Sequence, residues 1–318
     1  MRAAAEPLIA AARRGDQLDE LANLVAAIMP SLLNSEHYLQ FFQTWQAHGF
    51  HVTPAHFYYP IPDTSTLDEN VWSACSGLVG VDMNDTGQLA LLAELQRFNS
   101  ELDAFGERPT DCPFEFHFEN RKFDWTDAMV LYSMVRHFQP NLIIEVGSGY
   151  SSRMSAHAAL RNGHSQLICI EPYPDEVLIA GFPGLTALVK NKVQDVPTAV
   201  FQQLGPGDIL FIDSSHVVKI GSDVNYLFLE VLPRLQPGVI VHVHDIHLPM
   251  NYPRDWVRQT LFWNEQYLLH AFLLFNQQFE VLLANAYLGH RYPAELTAAF
   301  PRSPWTGGGS FWMRRKGS

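Results

Sequence analysis

At 318 residues and 47% hydrophobic content, the chain is long enough for one large domain plus an appendage and apolar enough for a buried core. Its 21 Lys and Arg against 33 Asp and Glu leave a net charge of −12, which argues against a nucleic-acid partner, whose capture needs basic patches, and towards small-molecule or protein partners. Cys75, Cys112 and Cys169 lack metal-type spacing, no basic-then-apolar leader is present, and no apolar run approaches the ~20 residues of a membrane span; a cytoplasmic protein without a membrane partner is expected.

Residues 6–46 show helical periodicity, with an apolar stripe through Leu18, Leu21, Leu24, Val25 and Ile28 that Pro30 is expected to interrupt. Residues 51–63 combine His51, His56, Phe57, Tyr58 and Tyr59 with three prolines that exclude regular structure. Loops this aromatic usually pack on something. Residues 1–120 are therefore expected to be a helical and loop-rich cap, with 54–63 as a lid. A helix is predicted over 126–138, stopped by Pro140. An α/β rhythm follows, with strands at 142–146, 166–170, 208–213, 238–245, 279–285 and 310–315 and helices near 223–235 and 255–275. The final Gly317-Ser318 reads as a remnant of expression rather than native sequence.

The run Leu142-Ile143-Ile144-Glu145-Val146-Gly147-Ser148-Gly149-Tyr150-Ser151-Ser152 carries the most chemistry. An apolar strand ends in an acid and a glycine turn that opens a helix. The glycines let the backbone approach a ligand, and the helix offers free N–H groups. Ser152 stands where a third glycine would complete the dinucleotide fingerprint. Some twenty residues on, the run 166–170 ends in Glu171, placed to accept from both ribose hydroxyls of a nucleotide-like cofactor. The bland alternatives are an ordinary tight turn or a nicotinamide site.

Two later strands also deliver polar groups at their carboxyl ends, where ligands of open α/β sheets bind. The first gives Asp213, Ser214, Ser215 and His216; the second gives His242, His244, Asp245 and His247. His242 lies within its strand and is expected to be a satisfied core histidine. Tyr58, Tyr59, Trp256, Trp263 and Tyr267 read either as substrate walls or as core, and Arg254 and Arg258 as a solvated helix face.

These ordered motifs resemble the class I S-adenosylmethionine-dependent methyltransferases over roughly residues 123–312, and within them a bacterial subgroup of largely unassigned small-molecule methyltransferases. The resemblance implies a Rossmann-like, doubly wound, mostly parallel seven-stranded α/β sheet over 121–318. It implies S-adenosylmethionine as cofactor, with Glu145, Gly147, Ser148, Gly149 and Ser152 around the methionine and ribose, Glu171 on the ribose hydroxyls, Asp195 facing the adenine, and Asp213 with Ser214 beside the transferable methyl. The methyl acceptor would be an oxygen or nitrogen of a small molecule. His216 and His244 are the favoured general bases, oriented by Asp213 or Asp245, with His247 a further candidate. A divalent metal is a competing account, less favoured than its absence. Asp213 and Asp245 match two family ligands, but Ile246 stands at the third, leaving His216 or His247 to replace it. Two other readings use the same cofactor: cyclisation of its aminobutyl chain with release of methylthioadenosine, which calls for aromatics around the sulfonium, and a non-catalytic regulatory module. A homodimer is among the assemblies open to the chain.

Overall fold

The computed structural model describes residues 6, 10–12, 14, 15, 18–123 and 125–317. The chain divides into two compact units, Met1–Asp68 and Glu69–Ser318. In the first, helices α1 (Leu18–Leu33) and α2 (Tyr38–Ala47) bury none of their residues. Pro30 does not end α1: the helix runs on through it to Leu33, and Asn34 donates to its carbonyl at 3.1 Å. The start of the predicted helical segment, at 7–9, 13, 16 and 17, lies outside the described residues, as does Ser318. In the 51–63 loop, the rings of His56, Phe57 and Tyr58 stack on one another with centroids 4.3–5.4 Å apart.

The second unit begins at Glu69, and its core explains why residues before 120 belong to it. Helix α3 (Asp85–Leu95) and the segment after it place Leu92, Leu95, Leu102, Phe116 and Phe118 in the same buried cluster as α4 (Trp125–Phe138), β1 (Leu142–Val146) and α5 (Tyr150–Asn162). Buried side chains cover α4 on nearly every side, from Trp125 to Val135, as expected of an interior helix. The strands continue with β2 (Gln166–Ile170), β3 (Ala187–Val189), β4 (Ile209–Ile212) and β5 (Ile240–Val243). Helix α6 (Glu265–Leu273), β6 (Phe279–Ala284), α7 (Asn285–Arg291) and β7 (Phe311–Arg315) complete the unit.

The seven strands form one sheet in the order β3-β2-β1-β4-β5-β7-β6. The pairs from β3 to β5 are parallel, and β7 runs antiparallel to both β5 and β6. Strand alternation sorts the core. Ile143, Leu167, Ile209 and Phe211 pack into the cluster under α4 and α5, while Ile144, Ile170, Leu210 and Ile212 pack into the cluster on the other face. The mostly parallel doubly wound sheet is thus as expected, with β3 added, a strand of three residues too short to leave a periodic signal.

Both predicted later helices are broken. Residues 223–234 form one α-turn, a π segment and a 3-10 turn containing Pro233. The 255–275 helix splits into Arg254–Arg258 and α6, around Thr260 at φ +64°. The break serves the site. The amides of Asn264 and Glu265 donate to the His216 carbonyl at 3.0 and 3.2 Å, and Asn264 Oδ1 accepts from Val218 N.

Candidate active site

The switch point between β1 and β4 is built by one glycine. Gly147 holds φ +77°, and a Cβ there would lie 1.7 Å from the Asp213 carbonyl oxygen. Its absence lets the ends of β1 and β4 meet, with Asp213 N donating to Val146 O at 2.8 Å. Gly149 is different. Its backbone is extended, and nothing lies within 4 Å of where its Cβ would be.

Glu145 does not line the ligand cleft as the resemblance implied. It is fully buried and accepts from Ser151, Ser152 and Ser155 of α5 at 2.7, 2.6 and 3.2 Å. Burial, only partly offset by the Ser152 and Ser151 hydroxyls, pushes its carboxyl up to about 7. Ser152 accepts from the Gly149 amide at 3.0 Å while it donates to Glu145, so the residue replacing the third glycine ties the turn to β1.

A cleft of about 460 Å³ opens beyond this turn, lined by Gly147, Glu171, Tyr173, Gln194, Asp213 and Ser214 among others. Glu171 accepts from Ser148 N at 3.2 Å and Tyr173 N at 2.8 Å, which fixes the carboxylate at the cleft. Ser214 Oγ is buried and has no hydrogen-bond partner among the described residues, and so remains available to a ligand. Asp195 is exposed and does not line the cleft; Gln194 and Val193 of the same turn do.

Around Asp213 lies a chain of alternating charges whose imidazoles and Glu265 are buried. His216 Nδ1 meets Glu265 Oε2 at 2.9 Å, and its Nε2 lies 3.3 Å from both Asp213 Oδ1 and Asp245 Oδ2. His244 Nδ1 sits 3.5 Å from the same two aspartates, and its Nε2 lies 3.5 Å from Asp127. Neither His244 nitrogen makes a hydrogen bond of good geometry, so its hold is electrostatic. Asp127, in the first turn of α4, also accepts from Asn285 Nδ2 and from the amides of Gly309 and Ser310.

These contacts outweigh desolvation. Burial alone would lower His216, yet Asp213 and Glu265 push it up to about 10; His244 is likewise raised well above its usual range by Asp245, Asp213 and Asp127. Burial would raise Asp213 and Asp127, but the imidazoles hold both well below the carboxylate range. Glu265 is raised by burial, which the His216 contact only partly offsets.

His247 stands apart from the chain. Burial lowers its pKa against the opposing charges of Asp245 and Asp127, and its Nε2 is buried without a hydrogen-bond partner among the described residues. It lines a second cleft of about 550 Å³ together with Asp127, His244 and Asp245. The triad of possible metal ligands among the described residues is Asp213, His216 and Asp245, with donor atoms within 4.8 Å of one another; of the two histidines offered for the third place, His216 is in it and His247 is not. His242 is a core residue as expected, stacked on Phe211 at 3.9 Å and paired with Ser310 at 3.0 Å.

Asp127 and Glu265 were missed in the sequence. Each had one signal, a carboxylate at the edge of an otherwise apolar helical run, where a buried charge requires a partner.

A family model described as a methyltransferase domain matches residues 144–246. An uncharacterised protein of Archaeoglobus fulgidus is 30% identical over 163 residues, covering 48% of this chain and 72% of that protein. Among solved structures, the chain is similar to the O-methyltransferase TomG from Streptomyces achromogenes, involved in tomaymycin synthesis and in complex with SAM, at 17% identity and TM-score 0.39 over 75% of this chain and 93% of that one. It is also similar to the SAH-bound methyltransferase PaMTH1 of Podospora anserina, at 14% identity and TM-score 0.41 over 71% and 88%. With the glycine turn, the acid after β2 and the strand order already described, the chain belongs to the class I S-adenosylmethionine-dependent methyltransferases.

Proposed function

We infer that the protein transfers a methyl group to an oxygen or nitrogen of a small molecule, and that the acceptor sits in the cleft lined by Asp245 and His247. One observation carries this reading. Asp213 lines one cleft and Asp245 the other, and both carboxylates contact the same two imidazoles at 3.3–3.5 Å. A donor and an acceptor would meet across that cluster, and such alignment supplies most of the acceleration.

Bound S-adenosylmethionine supplies an electrophilic methyl whose release leaves S-adenosylhomocysteine. Around it, Glu171 would hold the ribose hydroxyls, Ser214 Oγ would donate to the ligand, and Asp213 would sit against the sulfonium charge. Removal of the acceptor proton falls to a group that is unprotonated near pH 7. His216 and His244, held above their usual range, keep their protons, whereas His247 is neutral and its Nε2 lacks a partner. His247 is therefore the base in this reading, and His216 and His244 act by fixing Asp213 and Asp245.

A divalent cation fits the same cluster. Asp213, Asp245 and His216 offer two oxygens and one nitrogen, and Glu265 accepts from the other nitrogen of His216 as carboxylates do behind metal-bound imidazoles. Such a cation would polarise the acceptor hydroxyl and lower its pKa. Titration with Mn²⁺ followed by calorimetry tests this independently of turnover; no heat of binding would remove the metal.

Cyclisation of the cofactor asks for aromatic residues around the sulfonium. Among the described residues, the aromatic lining of the first cleft is Tyr173, which lies beside Glu171, the residue that would hold the ribose in this reading. The reaction is tested by following S-adenosylhomocysteine in the presence and absence of acceptors; its formation only with an acceptor supports transfer, and its absence with every acceptor refutes it.

A further inference from the structure

The second cleft carries its own chemical preference, and it lies at the rim. Arg121 and Lys122 line it together with Asp127, Asp245 and His247. Both are exposed, and neither has an ion-pair partner among the described residues. The chain carries a net charge of −12, and its other surface arginines include pairs such as Arg254 with Glu69 and Arg258 with Asp255.

Their presentation is fixed by a neighbouring side chain. Asn120 Oδ1 accepts from the amides of Lys122 and Phe123 at 2.9 and 2.8 Å, and its Nδ2 donates to the carbonyls of His117 and Phe123 at 2.8 Å each. Those four bonds hold Arg121 at φ +60°, a left-handed conformation that a non-glycine residue adopts at a cost of about 1–2 kcal/mol. Between rim and floor stand two indoles. Trp256 packs edge-on against His247 at 4.9 Å, and Trp305, 52% exposed, packs against Trp125 at 6.1 Å.

The geometry points to an acceptor that carries an anionic group at one end and its nucleophilic hydroxyl or amine at the other, with a flat apolar body between. The anion pairs with Arg121 and Lys122, the body lies along Trp256 and Trp305, and the nucleophile reaches the unpartnered Nε2 of His247. The acidic floor enforces this direction, because a carboxylate placed beside Asp127 and Asp245 would be repelled, whereas a neutral hydroxyl can donate to them. A guanidinium can also take a carboxylate or phosphate through two parallel bonds. This inference rests on the assignment of the second cleft to the acceptor.

The test is calorimetry on the full chain with bound S-adenosylhomocysteine, using 4-hydroxybenzoate, 4-hydroxyphenylacetate and 4-hydroxycinnamate, each against its methyl ester. The three spacers differ in length between anion and hydroxyl. At least one acid should bind about 10- to 100-fold tighter than its own ester. That gap should close in the double variant Arg121→Gln, Lys122→Gln and shrink with added salt, while ester affinity and S-adenosylhomocysteine affinity stay as in the wild type. Esters that equal or exceed their acids throughout, a gap that survives in the double variant, or no binding by any probe would each overturn the inference. Failure of methyl transfer reads out separately. If a bound acid is never methylated when S-adenosylmethionine is supplied, the proposed reaction falls while the anion preference stands.

Discussion

Replacing Gly147 by alanine should break the junction on which the whole site is built. Two effects add. A left-handed φ of +77° costs an alanine about 1–2 kcal/mol, and the new Cβ would lie 1.7 Å from the Asp213 carbonyl oxygen, well inside the 3.0 Å that real contacts respect. Backbone, not a flexible side chain, must give way. Asp213 has to move by about 1 Å or more, which stretches its 2.8 Å bond to Val146 O, and overpacking of this kind typically adds about 1–3 kcal/mol. The combined loss of about 2–5 kcal/mol should lower the melting temperature by about 4–20 °C in a unit of this size. Because Asp213 carries contacts of 3.3–3.5 Å to both imidazoles, S-adenosylhomocysteine affinity should fall as well. Thermal melting and calorimetry on Gly147→Ala, with Gly149→Ala as control, give the comparison. The control residue is extended and has open space around a Cβ, so its melting temperature should stay within about 2 °C of wild type. A Gly147→Ala protein that melts with the control and binds as wild type would refute the reasoning.

Three further outcomes follow from the buried charges. Glu145 titrates at about 7 when folded against an ordinary 4.5, so the folded state keeps a proton that the unfolded chain releases; stability should fall as pH rises through that window, by about 3 kcal/mol at most, and level off above it. Urea unfolding of wild type and Glu145→Gln at pH 5 and pH 8 should show the loss in wild type alone, and parallel losses would count against the burial assigned to Glu145. For His247→Asn, turnover should drop about 10²- to 10⁴-fold with S-adenosylhomocysteine affinity retained, as expected for a lost base; an unchanged pH profile of turnover would contradict that role. Glu265→Gln should weaken any Mn²⁺ binding about 10- to 100-fold by loosening His216, and equal affinity in calorimetry would detach Glu265 from the cluster.

The elements that position the cofactor were legible because each carries its own local signal. Strand periodicity marked β1, β2, β4 and β5, and the acids and glycines at their carboxyl ends followed from where such sheets bind ligands. The turn at Ser152 was readable as a departure, but not its reason, since the bond to Glu145 depends on which face of α5 the serines occupy. Asp127 and Glu265 were hidden for a related reason. They come to His244 and His216 from helices 117 and 49 residues away in the chain, and no spacing rule connects them. The choice among the histidines was likewise beyond residue type. His216, His244 and His247 differ in proton affinity through the carboxylates packed around each, which is a property of the assembled site. The break before α6 escaped notice because the apolar periodicity of 255–275 runs straight across it, while the bonds from Asn264 and Glu265 to the His216 carbonyl, which hold the chain there, are long-range.

The most direct test is mass spectrometry of the purified protein with S-adenosylmethionine, first alone and then with hydroxylated and aminated aromatic acids. Methyl transfer requires S-adenosylhomocysteine to appear only with an acceptor and in equal amount with a methylated product. Methylthioadenosine released without any acceptor, or S-adenosylmethionine left intact across the acceptor series, would contradict it.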